Sequence, residues 1–301
     1  VSPPSPQTAA LLARCTFPPP GEEVVCAVSG GPDSLALLGL AVEAGCKAHA
    51  VYVDHGLRPE ARDEAKLVAG AARRFGASFS CLKVSVPPGP DLEARARRAR
   101  YEALPEGVLV GHTADDQAET VLLNLLRGAG ADGLSAMRAI GGGLRAVRRP
   151  ILALRRAETT SLVRSWGIEA VSDPSNADPR FRRNRVRHEV VPLLAEVAGR
   201  DPVPLICRSA ALIAEDVGLL SSLASEIDPT DVKALRSAPR PLAARALREW
   251  LRSGEGAERH PPSLAELERA WAVVKGDVVA CELAGGRRLS RHQGRLQLSP
   301  P

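Results

Sequence analysis

Aromatic side chains make up only 3% of this 301-residue chain. A sheet that stacks successive single-stranded bases on exposed rings is therefore not its main binding device, and any RNA would be held by charge and shape. Lysine is almost missing: Lys47, Lys66, Lys83, Lys233 and Lys275 stand among 40 basic residues. Positive charge thus falls to arginine, whose planar fork suits bidentate contact with phosphate or carboxylate. GC-rich coding, which also explains the abundant Ala, Gly and Pro, accounts for most of that bias. The six cysteines, at 15, 26, 46, 81, 207 and 281, contain no pair two residues apart. That excludes a thiolate metal knuckle and a disulfide framework, and a reducing cytoplasmic setting is expected. No apolar run approaches the ~18 residues of a membrane span, and the opening does not read as a secretory leader, so no membrane association is expected.

Against these absences, 45% of the residues are hydrophobic, enough for a proper core, and the net charge of +5 favours a polyanionic partner, nucleic acid first. The proline-rich residues 1–20 read as a tail relieved by one apolar docking turn. From residue 21, compact apolar runs at 24–28, 48–53, 78–84 and 108–110 alternate with helical stretches at 34–43, 60–75, 92–104 and after 115. Such runs, apolar throughout rather than alternating, suit a parallel sheet buried on both faces by helices. Residues 145–187 hold eleven arginines against four acidic side chains, a larger excess than that of the whole chain. Glycine and prolines near 198–204 suggest a boundary, giving a catalytic domain over 21–198 and a smaller, mainly helical domain over 199–301. The latter is expected to close with short antiparallel strands turning at Gly285-Gly286 and Gln293-Gly294.

The segment VVCAVSGGPDSLALLGL carries the strongest chemistry. A buried strand runs into Ser29, Gly30, Gly31, Pro32, Asp33 and Ser34 and then directly into an apolar helix. Glycines let the backbone approach a ligand, and loop amides with a helix N-terminus form an anion cradle. It is not a Walker A loop, because no Gly-Lys-Ser/Thr follows. Asp33 is out of place in a bare anion site but fits one where Mg²⁺ accompanies phosphates. A second constellation, VLVGHTADDQAETVLLNLLRGAG, sets His112 after a short strand and then Asp115, Asp116 and Glu119 at three- and four-residue spacings along one helix edge. Acidic capping explains one of the aspartates; the histidine and three carboxylates at the carboxyl end of a strand, beside the cradle, are where open α/β sheets bind ligands.

The loop resembles the SGGxDS motif of the N-type ATP pyrophosphatases, the PP-loop family. The second motif is similar to that of the tRNA(Ile)-lysidine synthetases, as are VDHGLRPEA at 53–61, LEARARRARYEAL at 92–104 and DPSNADPRFRRNRVRHEVVPLL at 173–194. What the resemblance implies is a Rossmann-like, doubly wound, mostly parallel sheet that uses ATP and Mg²⁺ to adenylate the C2 oxygen of the wobble cytidine in a tRNA(Ile) with a CAU anticodon. Free L-lysine then displaces AMP. By the same resemblance, Ser29 through Ser34 would grip the polyphosphate, Asp33 and Asp116 would hold the metal, and the backbone near 51–54 would lie beside adenine. Asp115 belongs to the same acidic cluster, and Asp116 and Glu119 would orient the lysine ammonium. His112 would transfer a proton or steady the adenylated oxygen. Arg183, Arg185 and Arg187 would clamp the α-phosphate or the tRNA backbone, Arg185 foremost; Asp173, Pro174, Ser175 and Asn176 would form the turn that positions them. A homodimer stays open, the tRNA contacts of residues 199–301 are expected without assignment, and a PP-loop thiolase or a silent RNA-binding relative are the rival readings.

Overall fold

The computed structural model describes the chain except residues 1–4, 57–60, 87–88, 90–91, 142–145, 172–177, 254–261 and 300–301. It divides into two compact units, Val1–Ala211 and Leu212–Pro301. In the first unit, α1 (Pro6–Leu12) precedes β1 (Glu23–Ala27), α2 (Pro32–Glu43), β2 (Lys47–Asp54), α3 (Ala61–Phe75), β3 (Ser78–Lys83), α4 (Leu92–Ala103) and β4 (Val108–Val110). There follow α5 (Ala114–Leu125), the single turn α6 (Ala131–Leu134), β5 (Ile140–Gly141), β6 (Val147–Arg148), α7 (Arg156–Ser165), α8 (Arg182–Arg185), a π-helical turn over Val186–Val190, and α9 (Val191–Ala198). Helix α10 (Val203–Ser225) begins in this unit and ends in the next.

The sheet order is β3-β2-β1-β4-β6-β5, parallel except for β5 against β6. Alternation along β2 divides its residues between the two faces. Ala50 and Tyr52 join the core that also takes in α2 and α3, whereas Val51 and Val53 join Leu104, Val108, Val110 and Val147 on the other face. Helix α2 is enclosed over a continuous run, with Leu35, Leu37, Leu38 and Leu40 fully buried. Its tightest neighbour is α7. A Cβ on Gly39 would meet the Trp166 ring at 2.5 Å, so glycine is what lets the two elements close, with Trp166 edge-on to Phe75 at 4.9 Å. The opening of the chain is more than a tail from residue 5 onward: Leu11 is in the main core, and Arg14 bonds Glu158 on α7.

The second unit packs α11 (Val232–Ser237), α12 (Arg240–Ser253) and α13 (Leu264–Lys275) with an antiparallel sheet of β7 (Ala280–Glu282), β8 (Arg288–His292) and β9 (Arg295–Ser299). Gln293 and Gly294, both at positive φ, turn β8 into β9 with His292 opposite Arg295, the geometry of a two-residue hairpin. Buried Arg287 donates to the Leu251 carbonyl at 2.8 Å, so this unit too has a core fastened by arginine.

Candidate active site

The parallel strands end at a cleft of about 400 Å³. Its first wall is the turn between β1 and α2. Pro32 opens the helix with its fixed φ, Gly31 is the N-cap without a side-chain cap, and the first-turn amides are left for an anion. Gly30 sits at φ +84°, and a Cβ there would lie 2.8 Å from Val171, so the turn admits no other residue without strain. Ser34 closes the loop on itself: its hydroxyl donates to the Gly31 carbonyl at 2.9 Å and accepts from the Ser29 amide at 3.1 Å.

The second wall is the exit of β4, and Gly111 decides how near it comes. A Cβ at this position would meet the Asp33 carbonyl at 2.8 Å and the Ser34 amide at 3.0 Å, so the two motifs meet backbone to backbone. Beyond it, α5 starts with the Asp116 carboxylate folded back onto Thr113, accepting from its amide at 2.9 Å and its hydroxyl at 3.1 Å. His112 lines the cleft and accepts a hydrogen bond from Arg149 Nε at its Nδ1 (3.1 Å), which leaves Nε2 to carry the proton of the neutral ring.

The predicted carboxylates part company in their surroundings. Asp33 and Asp116 line the cleft. Glu119 is 2% exposed and sits among three guanidinium groups, with Arg156 at 3.1 Å, Arg183 at 2.7 Å and Arg187 at 2.7 Å. Asp116 shares the first two of these at 3.0 Å each. Asp115 lies apart, bound bidentately by Arg155 at 3.0 and 3.1 Å and by the Arg156 amide at 2.7 Å, while Arg155 also reaches Asp201. Asp33 accepts a short hydrogen bond from Thr159 and has Arg156 Nε 3.5 Å away.

These partners set the ionisation of the carboxylates. Burial pushes the Asp33 carboxyl up to about 6, with Asp116 adding to the rise and Thr159 and Arg156 opposing it. For Asp116, burial works in the same upward direction, but Arg156, Arg183 and the Thr113 amide outweigh it and hold the group below its ordinary value. Burial is likewise outweighed at Asp115, by Arg155 and the Arg156 amide. One environment thus holds two neighbouring carboxyls on opposite sides of their usual range.

Arg185 is not brought to the cluster. It is 60% exposed and pairs with Glu189, Nη2 to Oε2 at 2.8 Å. Arg183 and Arg187 lie four residues apart on one face of the helical segment, and a residue midway between them must point elsewhere. Arg156, by contrast, has no motif around it; its neighbour Arg155 is identical and faces Asp115. The signal that could have found it is its place at the first residue of a helix. Asp173, Pro174, Ser175 and Asn176 lie outside the described residues, as does part of VDHGLRPEA. The rest of the lining is mixed: Val51 and Val53 of β2 and Leu104 beyond α4 stand with His55, Glu64, Arg100 and Tyr101, and Arg187 reaches the cleft as well.

Both implied ligands can be tested against this geometry. A triphosphate fits the uncapped helix end and the glycine turn. Mg²⁺ takes oxygen ligands and is commonly held by one or two carboxylates with water and phosphate. Asp33 and Asp116 are near enough for the charge of one to raise the pKa of the other, and supply such a pair. Among the described residues no group of three or more His, Cys, Asp or Glu gathers as a metal held by protein alone would need.

Comparison with known proteins gives a consistent result. The model of a family described as the PP-loop domain matches residues 5–194. The tRNA(Ile)-lysidine synthase of Nocardia farcinica is 39% identical over 292 residues, 91% of this chain and 91% of that protein. That of Thermobifida fusca is 37% identical over 307 residues, 93% of each. Among solved structures, the U34-tRNA thiolase NcsA from Methanococcus maripaludis with its 4Fe-4S cluster aligns with a TM-score of 0.54 at 15% identity, over 69% of this chain and 78% of that one, a likeness of fold alone.

Proposed function

Given that this chain belongs to the tRNA(Ile)-lysidine synthase family, we propose that its cleft joins free L-lysine to the wobble cytidine of a tRNA(Ile) with a CAU anticodon, as an AMP-forming carbon–nitrogen ligase. The C2 carbonyl of cytosine is urea-like and a poor electrophile. Its oxygen attacks the α-phosphorus of ATP, the bond to the β-phosphate oxygen breaks, and pyrophosphate leaves with the electron pair. The ε-amine of lysine, which must first lose a proton because its ordinary pKa is near 10.4, then attacks C2 and AMP departs with the activated oxygen.

The chain's own residues serve each stage. Ser29 through Ser34, with the α2 N-terminus, bind the polyphosphate. Asp33 and Asp116 would hold Mg²⁺, which when bound offsets the charge on the departing pyrophosphate. Val51 and Val53 give adenine an apolar bed. His112, with Arg149 fixing its tautomer, donates from Nε2 to the activated oxygen. Asp116 presents a carboxylate edge to the lysine ammonium. Glu119, enclosed by guanidinium groups, acts through the arginines it positions.

The observation that carries this reading is the contact at Gly111, which sets the phosphate-binding turn and the acidic motif in one cleft. The thiolase reading has less support, since among the described residues no cysteine lines that cleft. No helix among the described residues is long and apolar enough to cross a membrane. The test is to incubate the protein with ATP, Mg²⁺, labelled lysine and tRNA. Label should enter only an isoleucine tRNA with a CAU anticodon, and Asp33→Ala and Asp116→Ala proteins that remain folded should incorporate none. Undiminished incorporation by both variants would refute the site.

A further inference from the structure

Arg156 stands where the two motifs meet. Its guanidinium reaches Asp33 of the phosphate-binding turn (3.5 Å) and both Asp116 (3.0 Å) and Glu119 (3.1 Å) of α5, and it lines the cleft. A single arginine shared by three carboxylates could be structural glue, so the question is what happens if it leaves. Asp116 would keep Arg183 on Oδ1 at 3.0 Å and Thr113 on Oδ2. Glu119 would keep Arg187 on Oε1 at 2.7 Å and Arg183 on Oε2 at 2.7 Å. Asp33 would keep the Thr159 hydroxyl.

Asp116 and Glu119 therefore keep cationic partners when Arg156 departs, and the penalty for breaking a buried ion pair falls on Asp33 alone, which keeps the Thr159 hydroxyl without a guanidinium. The other arginines are not equally exchangeable. Arg187 holds Glu119 through two nitrogens at 2.7 and 3.2 Å, and Arg155 is committed to Asp115 and Asp201. Among the described ion pairs Arg156 is the arginine that faces the turn, and at 3.5 Å its contact with Asp33 is longer than its contacts with Asp116 and Glu119.

We propose that Arg156 is the residue that binds the α-phosphate of the nucleotide, exchanging its carboxylate partners for the non-bridging oxygens of the phosphoryl group that the pyrimidine oxygen attacks. The proposal rests on the adenylation reading given above and deepens it. Negative charge builds on those oxygens as the new P–O bond forms and the bond to pyrophosphate breaks, and a forked, permanently charged donor stabilises it without moving a proton. Before nucleotide binds, the same guanidinium offsets the repulsion between Asp33 and Asp116, so one side chain serves both states.

The test compares AMP with adenosine by calorimetry in metal-free buffer, for the wild-type protein, Arg156→Gln and Arg156→Lys, with thermal unfolding alongside. The two ligands differ only in the phosphate. Wild type should prefer AMP, and Arg156→Gln should lose that preference by about tenfold or more, as for a lost charged hydrogen bond, while adenosine binds as before. Arg156→Lys, which keeps the charge and guards against a variant that fails to fold, should fall between them. Equal loss of AMP and adenosine binding in both variants would show a structural role, and an unchanged preference would show no role; either overturns the proposal. Failure of the wild-type protein to modify tRNA would instead overturn the adenylation reading, leaving the AMP comparison to decide Arg156 by itself.

Discussion

Replacing Asp33 by asparagine should make the ligand-free protein more stable while abolishing its activity. In the folded state this carboxyl ionises at about 6 rather than at 3.8, chiefly because it is buried. Between those two values the native state holds more protons than the unfolded chain, so stability falls as pH rises through that window and stays low above it. A displacement of about two pKa units corresponds to roughly 3 kcal/mol at pH 7.5, and to about half that at pH 5. Asparagine removes the buried charge and keeps an acceptor for the Thr159 hydroxyl. The assay is urea unfolding in EDTA at both pH values, followed by tryptophan fluorescence in a Trp250→Phe, Trp271→Phe background. Trp166 is then the only tryptophan and reports from its place against Phe75. The Asp33→Asn substitution should raise stability at pH 7.5 by up to ~3 kcal/mol and by less at pH 5. A variant no more stable than its parent at pH 7.5, or one whose advantage does not shrink on acidification, would refute the reasoning.

Two further substitutions separate the turn from the surface. Gly30→Ala forces a side chain into φ +84° and against Val171, so ATP binding measured by calorimetry should be lost while circular dichroism shows the fold retained. Arg185→Ala removes an exposed i,i+4 pair with Glu189, which should alter stability by less than about 1 kcal/mol in thermal unfolding and leave the rate of lysine incorporation into tRNA within about twofold.

The turn and the acidic motif could be read in the sequence because each is local: glycines at set positions after an apolar strand run, then carboxylates at helical spacing. Strands β1 and β4 were legible as continuous apolar runs, whereas β3, SFSCLK at the sheet edge, alternates and has no buried residue. What could not be read was decided by tertiary partners. Arg155 and Arg156 are neighbours of identical chemistry, yet one faces Asp115 and Asp201 and the other faces the cleft. Arg183 and Arg187 share a helical face through their four-residue spacing, and Arg185, midway between them, turns to solvent and Glu189. Helix α7 was hidden by a basic run, although Glu158 caps it by accepting from the Arg155 amide at 2.7 Å. Strands β5 and β6, two residues each, are too short to leave a pattern.

The most direct measurement of the central claim, that ATP in this cleft activates the pyrimidine oxygen rather than the amino acid, is pyrophosphate release with lysine left out. Given ATP, Mg²⁺ and the CAU-anticodon isoleucine tRNA, the protein should release pyrophosphate and hold an adenylylated RNA that yields AMP only when lysine is added. Pyrophosphate release that requires lysine and proceeds without tRNA would mean that the amino acid is the group adenylylated, and would contradict the account.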